Sequence, residues 1–213
     1  MCIRDSFVHP SLIAFASSAL GADDLRMYQS RVWSKFGEIA NYEQPLHRDR
    51  NHSLVPTRSE PGWWFLECFV YLSDVDEGNG APRLVPRSAA ATVDRADRAA
   101  LYDVEVAAPG SAGSLLAYRS DVWHRGTDIE VGRERHVMVV AFKPAGLDWI
   151  GFDAHPPLIS NRDFVQFAST CTPAELALFG VPLPGHEFWT PTMVDELALM
   201  YPGLNVEPWQ DAC

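Results

Sequence analysis

The chain has 213 residues, 47% of them hydrophobic, and a formal net charge of −11. That length and apolar fraction suit one globular domain with a substantial core, and no apolar run nears the roughly 20 residues needed to span a bilayer. An acidic balance with only two lysines, Lys35 and Lys143, disfavours contact with phosphate backbones, so neither nucleic acid nor a membrane is expected as a partner.

The first six residues, Met1-Cys2-Ile3-Arg4-Asp5-Ser6, join awkwardly to the rest of the chain. They read as translated adapter sequence, so the natural chain is expected to begin further upstream. No basic segment followed by an apolar one marks a secretory leader, and a cytoplasmic location is expected. Pro10 to Leu20 reads as a helix, with proline in the first turn and Gly21 as the stop. Leu25 to Phe36, rich in aromatic and β-branched residues, reads as a strand. Tyr42 to Asp49 leads into His47-Arg48-Asp49. Trp63 to Leu72 is a continuous apolar run of the kind found in strands buried on both faces.

Asp74 and Asp76 belong to an acidic stretch ending in Gly78-Asn79-Gly80, which reads as a tight turn rather than as a carboxylate pair. Ala89 to Tyr102 reads as a helical excursion or surface loop. Val104 to Ala107, Ser114 to Tyr118 and His136 to Phe142 read as strands, and Val122 to Gly126 carries His124. Short strands separated by turns predict an antiparallel double-sheet roll rather than βαβ units. After Lys143 the character changes. Thr172-Pro173-Ala174-Glu175 is a capping-box start, and Thr190-Pro191 opens a second helix that runs to Tyr201. Both helices are expected on the outside of the roll. Cys2, Cys68, Cys171 and Cys213 lack C-x-x-C spacing, which makes a zinc ribbon unlikely and predicts free thiols.

The chemistry lies in His47-x-Asp49, His124 and Arg135. On a strand, side chains at i and i+2 share a face, so His47 and Asp49 can reach one ion together. A histidine from a neighbouring strand, His124, would complete a two-histidine, one-carboxylate face, the ligand set of non-haem Fe(II) oxygenases. H-x-D alone is common by chance in a chain with seven histidines, so the later residues carry much of the weight. Arg135 lies eleven residues past His124, within reach of a hairpin return, where its guanidinium could clamp a carboxylate. It shares strand parity with Val137, Val139 and Ala141. Arg133 has the same parity and is the rival, and a salt bridge from Arg135 to Glu134 or Asp128 is the competing structural reading. His52 is expected beside the site, His136 outside it, and His9, His155 and His186 in loops without a role. Trp123 is expected to pack in the core.

Three segments carry a family resemblance: Tyr42 to Leu54 (YEQPLHRDRNHSL), Phe69 to Ser88 (FVYLSDVDEGNGAPRLVPRS) and the spacing from His124 to Arg135. Together they resemble the phytanoyl-CoA dioxygenase family over about Leu25 to Pro144. The resemblance implies a mainly β fold with a double-stranded β-helix (jelly-roll, cupin-like) core and flanking helices. It implies Fe(II) as the metal, held by His47, Asp49 and His124, with 2-oxoglutarate and O2 as cosubstrates and a small organic molecule as substrate. Arg135 would grip the distal carboxylate of 2-oxoglutarate, and Gln29 and Phe69 match positions that line the pocket. Where many members carry a hydroxyl two residues past the distal histidine, this chain has Gly126, with Thr127 one step later. Pro86-Arg87-Ser88-Ala89 stands where Pro-Gly-Ser-His is frequent, and fewer residues precede the metal motif than is usual. The retained Asp49 favours hydroxylation, with release of succinate and CO2, over halogenation.

The expected organisation is one dioxygenase domain over residues 1–213, with its core at about 25–144 and a C-terminal helical extension at 145–213. Two other readings remain open, a non-catalytic jelly roll that binds a small ligand or metal and a cupin-like metal enzyme that does not use 2-oxoglutarate. Arg48, Arg50, Arg58, Arg83 and Arg87 are candidates for a basic rim that would admit an anionic substrate. Oligomeric state is not legible.

Overall fold

The computed structural model describes residues 6–39, 41–49, 52–56, 58, 60–93, 97–151, 162–177 and 180–213. The expectations placed on Met1 to Asp5, Arg50 and His155 lie outside them. The elements, in chain order, are α1 (Pro10–Leu20), β1 (Leu25–Phe36), β2 (Leu66–Tyr71), β3 (Arg83–Leu84), α2 (Arg87–Ala90), β4 (Val106–Ala107), β5 (Leu115–Arg119), β6 (His124–Arg125), β7 (Glu134–Pro144), α3 (Arg162–Ala168), α4 (Pro173–Ala177), α5 (Pro191–Met200) and α6 (Glu207–Gln210). A 3-10 helix, Ala99–Val104, precedes β4.

The strands form a four-stranded sheet in the order β1-β7-β2-β5 and a three-stranded sheet in the order β4-β3-β6. Antiparallel registers pair Glu67 with Tyr118 and Phe69 with Leu116 across β2 and β5, and Leu84 with His124 across β3 and β6. This is the expected double-stranded β-helix, a jelly-roll core with flanking helices. No helix among the described residues is long and apolar enough to cross a membrane, and Cys68, Cys171 and Cys213 are free thiols.

The chain divides into two compact units. One comprises Met1–Phe15, Ser30–Arg48 and Leu66–Ala141. Its core is built by Tyr71 of β2, Val75 and Ala81 from the connection to β3, and Val137 and Val139 alternating along β7, with Phe69, Ala107 and Leu116 packed against them. Burial of such side chains is the main driving force for closing a roll of short strands. The acidic turn is fixed locally, because Asp76 and Asn79 exchange hydrogen bonds and Asn79 Nδ2 donates to the Asp74 carbonyl.

The second unit comprises Ala16–Gln29, Asp49–Phe65 and Phe142–Cys213. Its core is aromatic: Trp63 stacks on Trp149 at 6.2 Å, Phe188 packs edge-on to Trp63 at 5.4 Å, and the indoles of Trp189 and Trp209 both donate to the Pro182 carbonyl. The capping box forms as expected, with Thr172 N donating to Glu175 Oε2 at 2.7 Å. Thr190 Oγ1 caps α5 by accepting from Met193 N.

Two local readings are corrected. The apolar run from Trp63 becomes a strand only at Leu66, because Trp63 and Phe65 are apolar for aromatic packing, on Trp149 and Tyr28 respectively. Trp123 is half-buried rather than in the core. Two guanidiniums lie over its ring, Arg48 at 4.8 Å and Arg98 at 5.6 Å from the centroid.

Candidate metal centre

His124 opens β6, and its main chain pairs on one side with Leu84 of β3. On the other side it meets His47 through an isolated antiparallel bridge. His47 N donates to the His124 carbonyl at 3.0 Å, and His124 N donates to the His47 carbonyl at 2.9 Å. The segment from Asn41 to Asp49 is therefore not a strand; only His47 within it pairs. The bridge brings the two imidazoles to 4.4 Å between centroids. Asp49, two residues further along, is buried. The ligand atoms of His47, Asp49 and His124 all lie within 4.8 Å of one another.

Both histidines are set in the same way. Nδ1 of His47 donates to the Pro45 carbonyl at 2.9 Å, and Nδ1 of His124 donates to the Val122 carbonyl at 3.0 Å. A carbonyl can only accept, so each neutral ring carries its proton on Nδ1, which makes Nε2 the unprotonated nitrogen of the ring, the kind that ligates a metal. Two imidazole nitrogens and one carboxylate are the donor set of non-haem Fe(II), and the cluster fits that ion by its chemistry.

Gly126 does not replace a hydroxyl by accident. Its N–H donates to Gln44 Oε1 at 3.0 Å, its carbonyl accepts from Gln44 N at 2.9 Å, and a Cβ there would lie 2.7 Å from Gln44 Oε1. The neighbouring Thr127 is buried, and its hydroxyl donates to the Ala81 carbonyl at 2.9 Å.

Arg135 is 9% exposed and on the core face of β7 with Val137 and Val139. Its Nη1 donates to the Gly80 carbonyl, and its buried Nε has no hydrogen-bond partner among the described residues. Gly80 sits at φ 80°, where a Cβ would come within 2.8 Å of the Asp128 carbonyl oxygen, so this turn requires glycine. No carboxylate among the described residues pairs with Arg135, which removes the salt bridge to Glu134 or Asp128. Burial pulls its pKa down, while the nearby Tyr71 and Tyr42 oppose that shift. The rival Arg133 is exposed and tied to Asp76 at 2.9 Å and Glu130 at 3.0 Å. Of the proposed basic rim, Arg58, Arg83 and Arg87 are engaged with Glu60, with Glu77 and Glu105, and with Asp121.

A second buried cation stands close to Arg135. Lys35 of β1 is 3% exposed, and its Nζ donates to the carbonyls of Tyr42 and Thr127. Burial, reinforced by repulsion from Arg135, brings its pKa down to about 8. Arg135 and Thr127 bind the adjacent carbonyls of Gly80 and Ala81, and Lys35 binds Thr127, so the three side chains form one polar cluster. Sequence reasoning did not single out Lys35. The available signal was its even spacing from Gln29 on β1, which puts both on one face.

Phe69 packs on the core and stacks on Tyr118 at 5.6 Å; Tyr118 in turn lies 4.6 Å from the His124 ring. Gln29 is buried, and its Oε1 has no partner among the described residues. His52 accompanies Tyr28, with Nδ1 and the phenol oxygen 3.3 Å apart. His136 faces away, bonded to Ser34.

The sequence profile of the phytanoyl-CoA dioxygenase family matches residues 3–137. A search of curated proteins returned no match. Among solved structures, the chain is similar to the non-heme alpha ketoglutarate dependent epimerase SnoN from nogalamycin biosynthesis: 22% identity, TM-score 0.54, covering 67% of this chain and 56% of that one. The carbocyclase SnoK from the same biosynthesis gives 23% identity and TM-score 0.52 over 67% of this chain and 58% of that one. EctD from S. alaskensis, crystallised with Fe, gives 20% identity and TM-score 0.51 over 62% and 49%. The chain thus spans about half to three fifths of the length of these neighbours, whose likeness is one of fold. The family profile takes in His47, Asp49, His124 and Arg135 in one continuous match, and the chain belongs to the phytanoyl-CoA dioxygenase family.

Proposed function

We propose that the chain is an Fe(II)- and 2-oxoglutarate-dependent dioxygenase that hydroxylates a C–H bond of a small organic molecule. In that reaction O2 supplies the oxygen atoms, and 2-oxoglutarate leaves as succinate and CO2. The observation that carries the reading is the convergence of His47, Asp49 and His124 within 4.8 Å, with both histidines presenting Nε2. Bound Fe(II) supplies O2 activation, the step no side chain here can perform.

The protein's own residues bind and orient. His47, Asp49 and His124 hold the metal, and the carboxylate offsets part of its charge. Arg135 receives the distal carboxylate of 2-oxoglutarate, which would give its buried guanidinium the anion it otherwise lacks. Lys35 adds a second positive charge, and Thr127 can lend its hydroxyl to the same carboxylate only by giving up the Ala81 carbonyl to which it donates. The Phe69–Tyr118 stack forms an aromatic wall beside His124 that keeps water from the reacting centre. Gln29 offers a buried acceptor oxygen for a donor on the ligand, since an unpaired buried carbonyl oxygen is costly.

The test is anaerobic addition of Fe(II) and then 2-oxoglutarate to the metal-free protein, monitored by visible absorption spectroscopy. A weak charge-transfer band that His124→Ala abolishes supports the reading; no band in the wild type overturns it. Two of the fold neighbours are described as an epimerase and a carbocyclase, so product analysis under O2 decides the outcome: a hydroxylated product, with one succinate per turnover, is expected.

A further inference from the structure

His47 stands on irregular backbone, joined to the His124 segment by one reciprocal bridge and, three residues earlier, by Gln44 N donating to the Gly126 carbonyl. Strand alternation turns the residues flanking that bridge, Arg48 and Trp123, to the face opposite the two imidazoles and directly across from each other. There the Arg48 guanidinium lies 4.8 Å from the Trp123 ring centroid. Arg98, arriving just before the 3-10 helix, lies 5.6 Å from the same ring. Trp123 is in turn anchored to β3, because Val85 N donates to its carbonyl at 2.8 Å. The stack is thus tied to the sheet that carries His124 and reaches across to the segment that carries His47.

We infer that the Arg48–Trp123 stack is a positioning device for the metal centre, setting the tilt and separation of His47 and His124 from behind. The inference rests on the metal reading above. Its physical basis is leverage. On the Gln44 side of the bridge the two segments are also held by the Gln44–Gly126 hydrogen bonds; on the Asp49 side the Arg48–Trp123 contact resists a pivot that would move the imidazoles on the opposite face. A planar guanidinium over an indole, 4.8 Å from its centroid, resists that pivot, whereas an ammonium, a point charge with no plane to match the ring, resists it less. Neither residue belongs to the hydrophobic core cluster of that unit, so their effect should fall on the metal site rather than on global stability.

Co(II) titration of the metal-free protein, read by its visible absorption, tests the inference alongside thermal unfolding of the same apo samples. Arg48→Met keeps the aliphatic stem and removes the planar cation. It should weaken Co(II) binding by about tenfold or more, as loss of groups that support metal ligands does, with the apo melting temperature unchanged. Trp123→Ala should lose at least as much, while Trp123→Phe and Arg48→Lys should recover part of the affinity. Arg133→Met, at an exposed arginine paired with Asp76 and Glu130, should bind like the wild type. If Arg48→Met binds Co(II) as tightly as the wild type, the inference is wrong, and that variant decides the matter even if Trp123→Ala does not fold. A lowered melting temperature with unchanged affinity likewise overturns it, as a purely structural role. A wild type that binds no Co(II) instead sinks the metal reading itself.

Discussion

The metal cluster and the Arg135–Lys35 cluster stand on different kinds of backbone. His47 and Asp49 come from irregular chain held to β6 and the residue after it by one isolated bridge and the Gln44–Gly126 hydrogen bonds. Arg135 and Lys35 come from the two longest strands, neighbours in one sheet, and both donate to main-chain carbonyls. The difference follows from charge. A divalent ion pulls its own ligands together, so its scaffold can be slight. Two cations repel each other, and only a ladder-bonded scaffold with carbonyl dipoles can hold them side by side without their anion.

The largest effect expected from this contrast is at the metal end. His124→Ala should abolish measurable Fe(II) or Co(II) binding, a loss beyond the about hundredfold reached by supporting groups. Calorimetric titration checks it. Retained tight binding would show that the scaffold places other ligands.

Next comes the cation end. Arg135→Ala should leave metal affinity intact and weaken 2-oxoglutarate binding by about a hundredfold, in keeping with the about 2–5 kcal/mol lost when one partner of a buried charge pair is removed. Arg135→Lys should not restore it, since the fork geometry is lost. Equal loss of metal and cosubstrate binding would mean that the two ends are not separable.

Lys35 sharpens the comparison through pH. Its ammonium is charged below about 8 and neutral above, so 2-oxoglutarate affinity should be highest below that pH and fall as pH rises through it. Bound dicarboxylate should push the pKa up and draw in a proton there. Lys35→Met should weaken binding by about tenfold, roughly the loss of one charge-assisted hydrogen bond, and flatten the profile. A profile unchanged by that substitution would assign the pH dependence elsewhere. The smallest effect lies outside both clusters: Thr190→Ala removes the α5 cap and should cost about 1 kcal/mol of stability in denaturant unfolding, with both affinities unchanged.

The same contrast explains what could be read beforehand. α1 and β1 have the ends read from the sequence, because Pro10, Gly21 and the aromatic, β-branched run of β1 are local signals. The convergence of His47, Asp49 and His124 within 4.8 Å was legible because donor chemistry and spacing mark a candidate metal set without knowledge of the backbone. The isolated bridge that pairs His47 with His124 was not, since one hydrogen-bonded pair leaves no period in the sequence. Trp123 was expected among core side chains because an indole is mostly apolar; its arginine partners come from distant segments that no local pattern connects. Lys35 escaped notice for a similar reason. A buried lysine runs against the ordinary preference of that side chain for water, and the carbonyls that hold it lie far along the chain.

Lys35 also acts on strand pairing. β1 is the outer strand of its sheet, with β7 its neighbour, and a strand in that place can slide along its partner. A slip by one residue would turn Lys35 and Gln29 to solvent and Ser34 and Phe36 inward. The carbonyls of Tyr42 and Thr127 would lose their donor, and Phe36 would leave the edge-on contact it makes with His136 at 5.8 Å. An inward charge on an outer strand also discourages pairing with the same strand of another copy. On the proposed function, the ammonium that would meet a dianion is thus also a registration pin, fixing which residues of β1 face inward.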